Sequence, residues 1–175
     1  MGVPHEHKLR APSRLKFSIV VVSTSRYRLV EAGEDAVDVS GSVMQRMIED
    51  AKHDVISRRI IPDDEEFIVN TLREEASRGA DVIIFSGGTG VSPRDVTIEA
   101  VEPLLEKRLP GFGELFRLLS YKEVGASAML TRCTAGTYRG AAVFCIPGSP
   151  DAVKLALEKL ILPEAGHVVA VAREV

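Results

Sequence analysis

The sequence has no tryptophan and two cysteines, and aromatic residues make up 5% of its 175 positions. Two cysteines do not make the disulfide framework of a small secreted fold, so a reducing, cytoplasmic compartment is expected. With so few rings, the core must come from Val, Ile, Leu and Ala. No apolar run approaches the roughly 20 residues that a membrane-spanning helix needs. The first fifteen residues also lack the apolar stretch of a secretory signal. Charge of one sign is not in excess either. The 22 Lys and Arg against 25 Asp and Glu leave a formal net charge of −3, no basis for a nucleic-acid-binding face. What is present, 45% hydrophobic and 27% charged residues, is enough to bury one substantial core.

Residues 1–15 mix His, Pro, Lys and Arg without periodicity and are expected to form a flexible tail. His5 and His7 lie in it with no further ligand spaced to close a metal site, and they read as solvated. From residue 16 onward a single domain is expected. Phe17–Ser23 is a near-continuous β-branched run, and Val55–Ile61, Val82–Ser86 and Val143–Ile146 resemble it. Such strands suit a parallel sheet covered on both faces. Helix-period segments alternate with them. Val43, Met47, Ile48 and Ala51 form one apolar stripe, and Ile68, Val69, Leu72 and Ala76 another, with Gly79 as a stop. Shorter helices are expected over Thr97–Glu106, disturbed at Pro103, over Gly113–Lys122, and from Pro150 onward until Pro163 interrupts. Arg132–Tyr138 and Ala141–Ile146, separated by Arg139-Gly140, look like an antiparallel hairpin. The fold class is α/β: one three-layer α/β/α domain with a mostly parallel sheet and one antiparallel edge hairpin.

Ligands of such sheets bind at the carboxyl ends of the parallel strands. There the chain places Ser23-Thr24-Ser25-Arg26, Pro62-Asp63-Asp64, Ser86-Gly87-Gly88-Thr89-Gly90 with Ser92-Pro93-Arg94-Asp95, and Pro147-Gly148-Ser149-Pro150. All four ends are rich in Gly, Ser, Thr and Asp. Glycine loops let a backbone approach a ligand and offer N–H donors to anionic oxygens, as does the helix start at Pro150. Neither loop is a P-loop or a G-x-G-x-x-G fingerprint. Asp63 could be a helix N-cap in a capping-box pattern with Glu66, although Asp64 could equally take that role. Asp95 precedes Thr97, itself an adequate cap. If both aspartates are free, they could hold Mg²⁺ together with substrate phosphate oxygens.

Residues Ser86 to Thr97 resemble the signature of the molybdopterin adenylyltransferase (MoaB/Mog) family. So do Asp38-Val39-Ser40-Gly41, Pro110-Gly111-Phe112-Gly113-Glu114 with Phe116-Arg117, and Pro147 to Pro150. The motifs stand in family order and cover nearly the whole chain from Phe17. The resemblance implies a step of molybdenum or tungsten cofactor synthesis, in which AMP passes from Mg·ATP to the terminal phosphate of molybdopterin and pyrophosphate is released. It further implies that Asp63 and Asp95 are the functional aspartates and that pterin and phosphate contacts fall on Ser86–Gly90, Glu114 and Pro147–Ser149. A homo-oligomer, trimer or hexamer, and hand-over to a molybdate-inserting enzyme are implied as well. One position departs from the pattern. Many members carry an acid after the first strand, where this chain has Thr24; a cap that Thr24 or Ser25 could supply would explain it.

The nucleophile would be a substrate phosphate oxygen, already ionised, so no general base is needed on the protein. Arg94 reads as a solvated loop arginine rather than a phosphate clamp. Glu114 is divided between pterin contact and helix capping. Cys133 and Cys145 read as buried thiols, and His53 and His167 as structural or exposed. Two other functions fit the same motifs: a non-catalytic molybdopterin carrier, and a nucleotide hydrolase of the competence-damage type. The molybdate-inserting enzyme, whose central domain shares the fold, usually carries extra domains for which 175 residues leave no room.

Overall fold

The computed structural model describes residues 12–174. Residues 1–11 of the expected tail, with His5 and His7, lie outside them. Each apolar run becomes a strand: β1 (Lys16–Val22), β2 (Asp54–Ile61), β3 (Val82–Ser86) and β6 (Ala141–Ile146). With β4 (Lys107–Arg108) and β5 (Thr134–Tyr138) they make one sheet of order β2-β1-β3-β6-β5-β4. β1 pairs in parallel with β2 and β3, and β3 with β6. β5 runs antiparallel to both its neighbours, and Arg139 (φ 49°) and Gly140 (φ 76°) make the tight turn into β6. The fold is the expected three-layer α/β/α domain.

The helices are α1 (Thr24–Glu31), α2 (Val39–Asp50), α3 (Glu65–Ser77), α4 (Thr97–Val101), α5 (Pro110–Val124), α6 (Pro150–Ala156) and α7 (Leu162–Ala172). Side chains alternate across the sheet. Phe17, Ile19 and Val21 of β1 join α2, α5, α6 and α7 in one core; Val20 and Val22 join α3 and α4 in the other.

The structure moves several expected details. On α2 the buried row is Ser40, Gly41, Met44 and Ile48, so the stripe is rotated away from Ala51 toward Met44; Val43 and Met47 sit at its margin. On α3 the buried set includes Thr71 and Glu75 in place of Val69 and Ala76. Glu75 is fully buried because Ser18 Oγ, Arg59 Nη1 and Arg78 Nη1 all donate to its carboxylate. β2 is the sheet's edge, so most of its residues are only partly buried and Ile56 faces solvent. Pro163 does not end the last helix. The chain passes through a π-helical turn (Leu157–Ile161) and continues as α7, the extra residue accommodating the missing Pro N–H.

Candidate active site

The parallel register carries four strand ends to one edge. Val22 stands opposite Ile61, Val21 opposite Ser86, and Ser86 opposite Ile146. Ser23 N donates to Ile61 O (2.8 Å) and Gly87 N to Ile146 O (3.0 Å), lacing adjacent loops together. Strand order reverses at β1, with β2 on one side and β3 on the other, so the loops after β1 and β3 flank the switch point.

After β3 the backbone turns through Gly87 (φ 108°) and Gly88 (φ 61°), which only glycine adopts without strain. Three of the loop's carbonyls are held by the protein. Thr97 Oγ donates to Gly87 O, Thr97 N to Gly88 O (both 2.9 Å), and Arg132 Nη1 to Gly90 O (3.0 Å). Thr97 therefore locks the loop rather than capping α4, whose N-cap position is Val96. Arg132 had no sequence signal, because its partner is a backbone carbonyl. Its other arm reaches Glu99. Burial works to raise the Glu99 carboxyl, but the Arg132 hydrogen bond and charge bring it below its ordinary range. Among the described residues, the N–H groups of Gly88, Thr89 and Gly90 have no protein acceptor, and the hydroxyl of Thr89, a residue 4% exposed, has no partner. Three free N–H groups and a buried free hydroxyl make a cradle for an anion.

Two carboxylates flank this cradle. Asp64 is the N-cap of α3, accepting from Phe67 N, so the alternative that frees Asp63 holds. Asp63 instead meets α1: Thr24 N and Oγ both donate to Oδ2 (2.8 Å), and Asp63 N donates back to Thr24 Oγ (2.9 Å). Thr24 is thus not a cap; Ser23 is, accepting from Arg26 N. Asp63 Oδ1 has no partner and lies 2.9 Å from where a Cβ on Gly88 would stand. Asp95 Oδ2 accepts from Ser92 N (3.0 Å) and lies 2.8 Å from the corresponding point on Gly90, and its Oδ1 is also unbonded.

Pro147–Ser149 closes the cradle from β6. A Cβ on Gly148 would stand 3.2 Å from Gly87 Cα, so the two loops touch. Here the serines are structural. Fully buried Ser86 donates to Pro147 O, Ser40 to Gly148 O (2.7 Å), and Ser149 caps α6 by accepting from Ala152 N. Asp38 is equally structural, capping α2 through Gly41 N while Arg58 grips its Oδ2. The result is two neighbouring recesses. One, of about 440 Å³, is lined by Gly87–Gly90, Asp95, Arg26, Arg132, Pro147 and Gly148. The other, of about 730 Å³, is lined by Ser23, Thr24, Ser25, Asp63, Arg28 and Arg94 among others.

Glu114 is not brought to either. It lines a separate recess of about 260 Å³ with Glu102, Arg108, Arg117, Cys133 and Thr134. It does not cap a helix, since α5 begins at Pro110 with Leu109 before it. Both thiols are free; burial pushes Cys133 up to about 11 and Cys145 higher still, so neither is a nucleophile at neutral pH. His53 stacks on Phe17 (5.3 Å between ring centres), and its Nδ1 accepts from Leu15 N. His167 Nδ1 lies 3.2 Å from Glu164.

Among the described residues, no three of His, Cys, Asp and Glu gather into a metal cage. Two carboxylates with one free oxygen each instead suit a hard cation that keeps waters and substrate phosphates as its other ligands, the habit of Mg²⁺. A doubly wound sheet with free N–H groups between two such carboxylates is an α/β arrangement suited to phosphate.

The sequence comparisons agree with this class and narrow it. Residues 18–167 match the family model described as "Probable molybdopterin binding domain". Molybdenum cofactor biosynthesis protein B of Bacillus cereus is 45% identical, over 93% of this chain and 94% of that one. A molybdopterin adenylyltransferase of Pyrococcus furiosus is 41% identical, over 99% of this chain and 100% of its own. The crystal structure of the tungsten cofactor synthesizing protein MoaB from the same organism superposes with a TM-score of 0.83 at 40% identity, covering 94% of this chain and 100% of that one. The chain belongs to the MoaB/Mog family of molybdopterin-binding domains.

Proposed function

We propose that this protein is a molybdopterin adenylyltransferase of molybdenum or tungsten cofactor synthesis, transferring AMP from ATP to the terminal phosphate of molybdopterin. One observation carries the reading. The unpartnered Thr89 hydroxyl and the free N–H groups of Gly88, Thr89 and Gly90 lie between two carboxylates that each keep an oxygen unbonded. The cradle suits a phosphate, and flanking carboxylates suit the Mg²⁺ that accompanies a nucleotide. Asp63 and Asp95, which line neighbouring recesses, are the residues that would hold Mg²⁺, and it would supply positive charge against the phosphates. The chain's own residues align the two phosphates and fix donors in advance, so little reorganisation remains at the moment of reaction. An ionised substrate phosphate is its own nucleophile, which accords with two thiols whose pKa burial raises and, among the described residues, no histidine lining either recess.

The test is direct. Purified protein, molybdopterin, ATP and Mg²⁺ should yield adenylylated molybdopterin and pyrophosphate. Asp95→Asn keeps the bond from Ser92 N but loses the charge. It should lower pyrophosphate release by about a hundredfold or more, with molybdopterin affinity changed little. Unchanged turnover in that variant would sink the assignment. Nucleotide hydrolysis without molybdopterin would favour the hydrolase reading, and binding without turnover the carrier.

The remaining expectations belong to the same reading. Exposed Leu115, Leu118, Tyr121, Val124, Met129 and Leu130 on α5 and the turn after it support a homo-oligomer, trimer or hexamer. Two free thiols support a cytoplasmic setting, with the adenylylated product handed to a molybdate-inserting enzyme. The single molybdopterin-binding domain would begin by Leu15 rather than at residue 16, because Leu15 is buried in the core and Asp54 N donates to Leu15 O, with the residues before Arg14 as its tail.

A further inference from the structure

The recess on the Asp63 side of the glycine loop holds two guanidinium groups that the chain itself does not use. Arg28 is on α1 and Arg94 lies in the loop after Gly90, and both line the same concavity of about 730 Å³ with Asp63. Neither side chain has a hydrogen bond or acidic partner among the described residues. Their neighbours behave differently: Arg26 is tied to Val37 O and Ser23 Oγ, Arg59 to Glu74 and Glu75, and Arg132 to Gly90 O and Glu99. Two unpaired cations facing one recess repel each other until an anion lies between them, and a guanidinium matches phosphate oxygens in pairs. With one carboxylate and two guanidiniums, the recess is locally basic in a chain whose net charge is −3. The other recess, on the Asp95 side, has the free Thr89 hydroxyl, while its Arg132 is engaged with the loop.

We propose that Arg28 and Arg94 bind the β- and γ-phosphates of the nucleotide, the part that departs as pyrophosphate, and that the glycine loop separates this leaving-group recess from the recess holding the acceptor phosphate. The assignment rests on the adenylyl transfer proposed above. In that step an oxygen of the acceptor phosphate forms a bond to the α-phosphorus. The bond from the α-phosphorus to the α,β-bridging oxygen breaks, and its electron pair leaves with pyrophosphate. The negative charge that grows on the departing group is what two guanidiniums free of protein partners stabilise. Arg94, which reads from sequence as merely solvated, gains its role from α1, which carries Arg28 to the same recess.

The test uses the intact protein and two probes, inorganic pyrophosphate and AMP, titrated by calorimetry with Mg²⁺ present. Arg28→Gln and Arg94→Gln should each weaken pyrophosphate binding by about tenfold, and the double variant by more, while AMP affinity stays within about twofold. Both side chains are exposed, so thermal unfolding should be unchanged; Arg46→Gln, on an exposed position of α2, is the control. In turnover, the double variant should raise KM for ATP with KM for molybdopterin unaltered. Unchanged pyrophosphate affinity in the double variant, or an equal loss for AMP, overturns the assignment. If the wild type releases pyrophosphate from ATP and the double variant does so with the same KM, the assignment fails and adenylyl transfer stands. If the wild type forms no adenylylated product, both fail.

Discussion

Thr24→Val removes one hydroxyl and keeps the side chain's shape, so it isolates what that hydroxyl does for Asp63. In the native structure Thr24 Oγ donates to Asp63 Oδ2 (2.8 Å) and accepts from Asp63 N (2.9 Å), while Thr24 N also donates to Oδ2. Valine keeps only the backbone bond. The variant loses one hydrogen bond to a charged group, about 1.5–3 kcal/mol, and leaves one amide without its acceptor, about 1 kcal/mol. Both groups are half-buried, and water replaces part of the loss, so a net cost of about 2 kcal/mol is expected. For a domain of this size that is a fall in Tm of about 4–8 °C. The larger consequence concerns geometry. With one bond in place of two, the carboxylate can swing about its χ angles, and Oδ1 no longer points steadily at the Gly88 side of the cradle. Pyrophosphate release should fall by at least about tenfold, equivalent to about 1.4 kcal/mol in the transition state. KM for molybdopterin should change less than kcat. Thr24→Ser restores the hydroxyl and should recover most of both losses. A valine variant with wild-type Tm and wild-type turnover would refute the reasoning. A variant that loses stability but not turnover would confine Thr24 to a structural role.

Gly87→Ala should destabilise the fold by about 3 kcal/mol or more, because the new methyl group combines a left-handed φ of 108° with an overlap on the Val22 carbonyl oxygen; differential scanning calorimetry would show it as a Tm lowered by about 6 °C or more. His53 supplies a pH test. Burial lowers its pKa in the folded state against a smaller opposing effect of Asp54, so below about pH 6.5 the unfolded chain binds more protons and stability rises with pH. Tm should therefore drop as pH falls from 7.5 to about 5.5, and His53→Gln should flatten that drop. An identical pH slope in the variant would show that His53 is not the group responsible.

Strand runs and helix onsets were legible wherever apolar pattern and burial coincide. β3 begins and ends where its residues say, and α3 begins after the cap that Asp64 provides. Features without an apolar signal were not. α1 buries no residue, and its start is marked by a single serine, so it reads as loop. β4 is two exposed residues whose pairing with β5 is a backbone matter. Glu75 looks like part of a solvated face because its partners lie on β1 and β2, and on its own helix's cap, brought together only by the fold. The site shows the same division. Glycine loops and aspartates announce themselves by residue type, whereas Thr24, Thr97 and Arg132 act through hydrogen bonds to groups that no local pattern names. Ser86 and Ser149 illustrate the converse: residue type placed them at the site, yet their hydroxyls bind the protein.

How a chain with net charge −3 could hold a triphosphate and a second phosphate follows from how charge is distributed at the strand ends. Long-range attraction is weak here, so binding must come from donors that act within a few ångströms. The cradle supplies them without formal charge. Thr97 and Arg132 hold the carbonyls of Gly87, Gly88 and Gly90, which leaves the N–H groups of Gly88, Thr89 and Gly90 among the loop's unused polar groups. Anchoring three of the carbonyls is what gives the loop a sign: a free peptide can turn either dipole end to solvent, but at Gly87, Gly88 and Gly90 the acceptors are already filled. The formal charges then divide the edge. Asp95 lines the cradle's recess with Arg26 and Arg132, whose guanidiniums the protein already engages, while Asp63 shares its recess with the unpaired Arg28 and Arg94. Two phosphate-bearing groups placed on either side of one loop would meet different fields, and the side with unpaired guanidiniums favours a group whose charge grows during reaction. A single symmetric basic patch would bind both phosphates equally well and give no direction to the transfer.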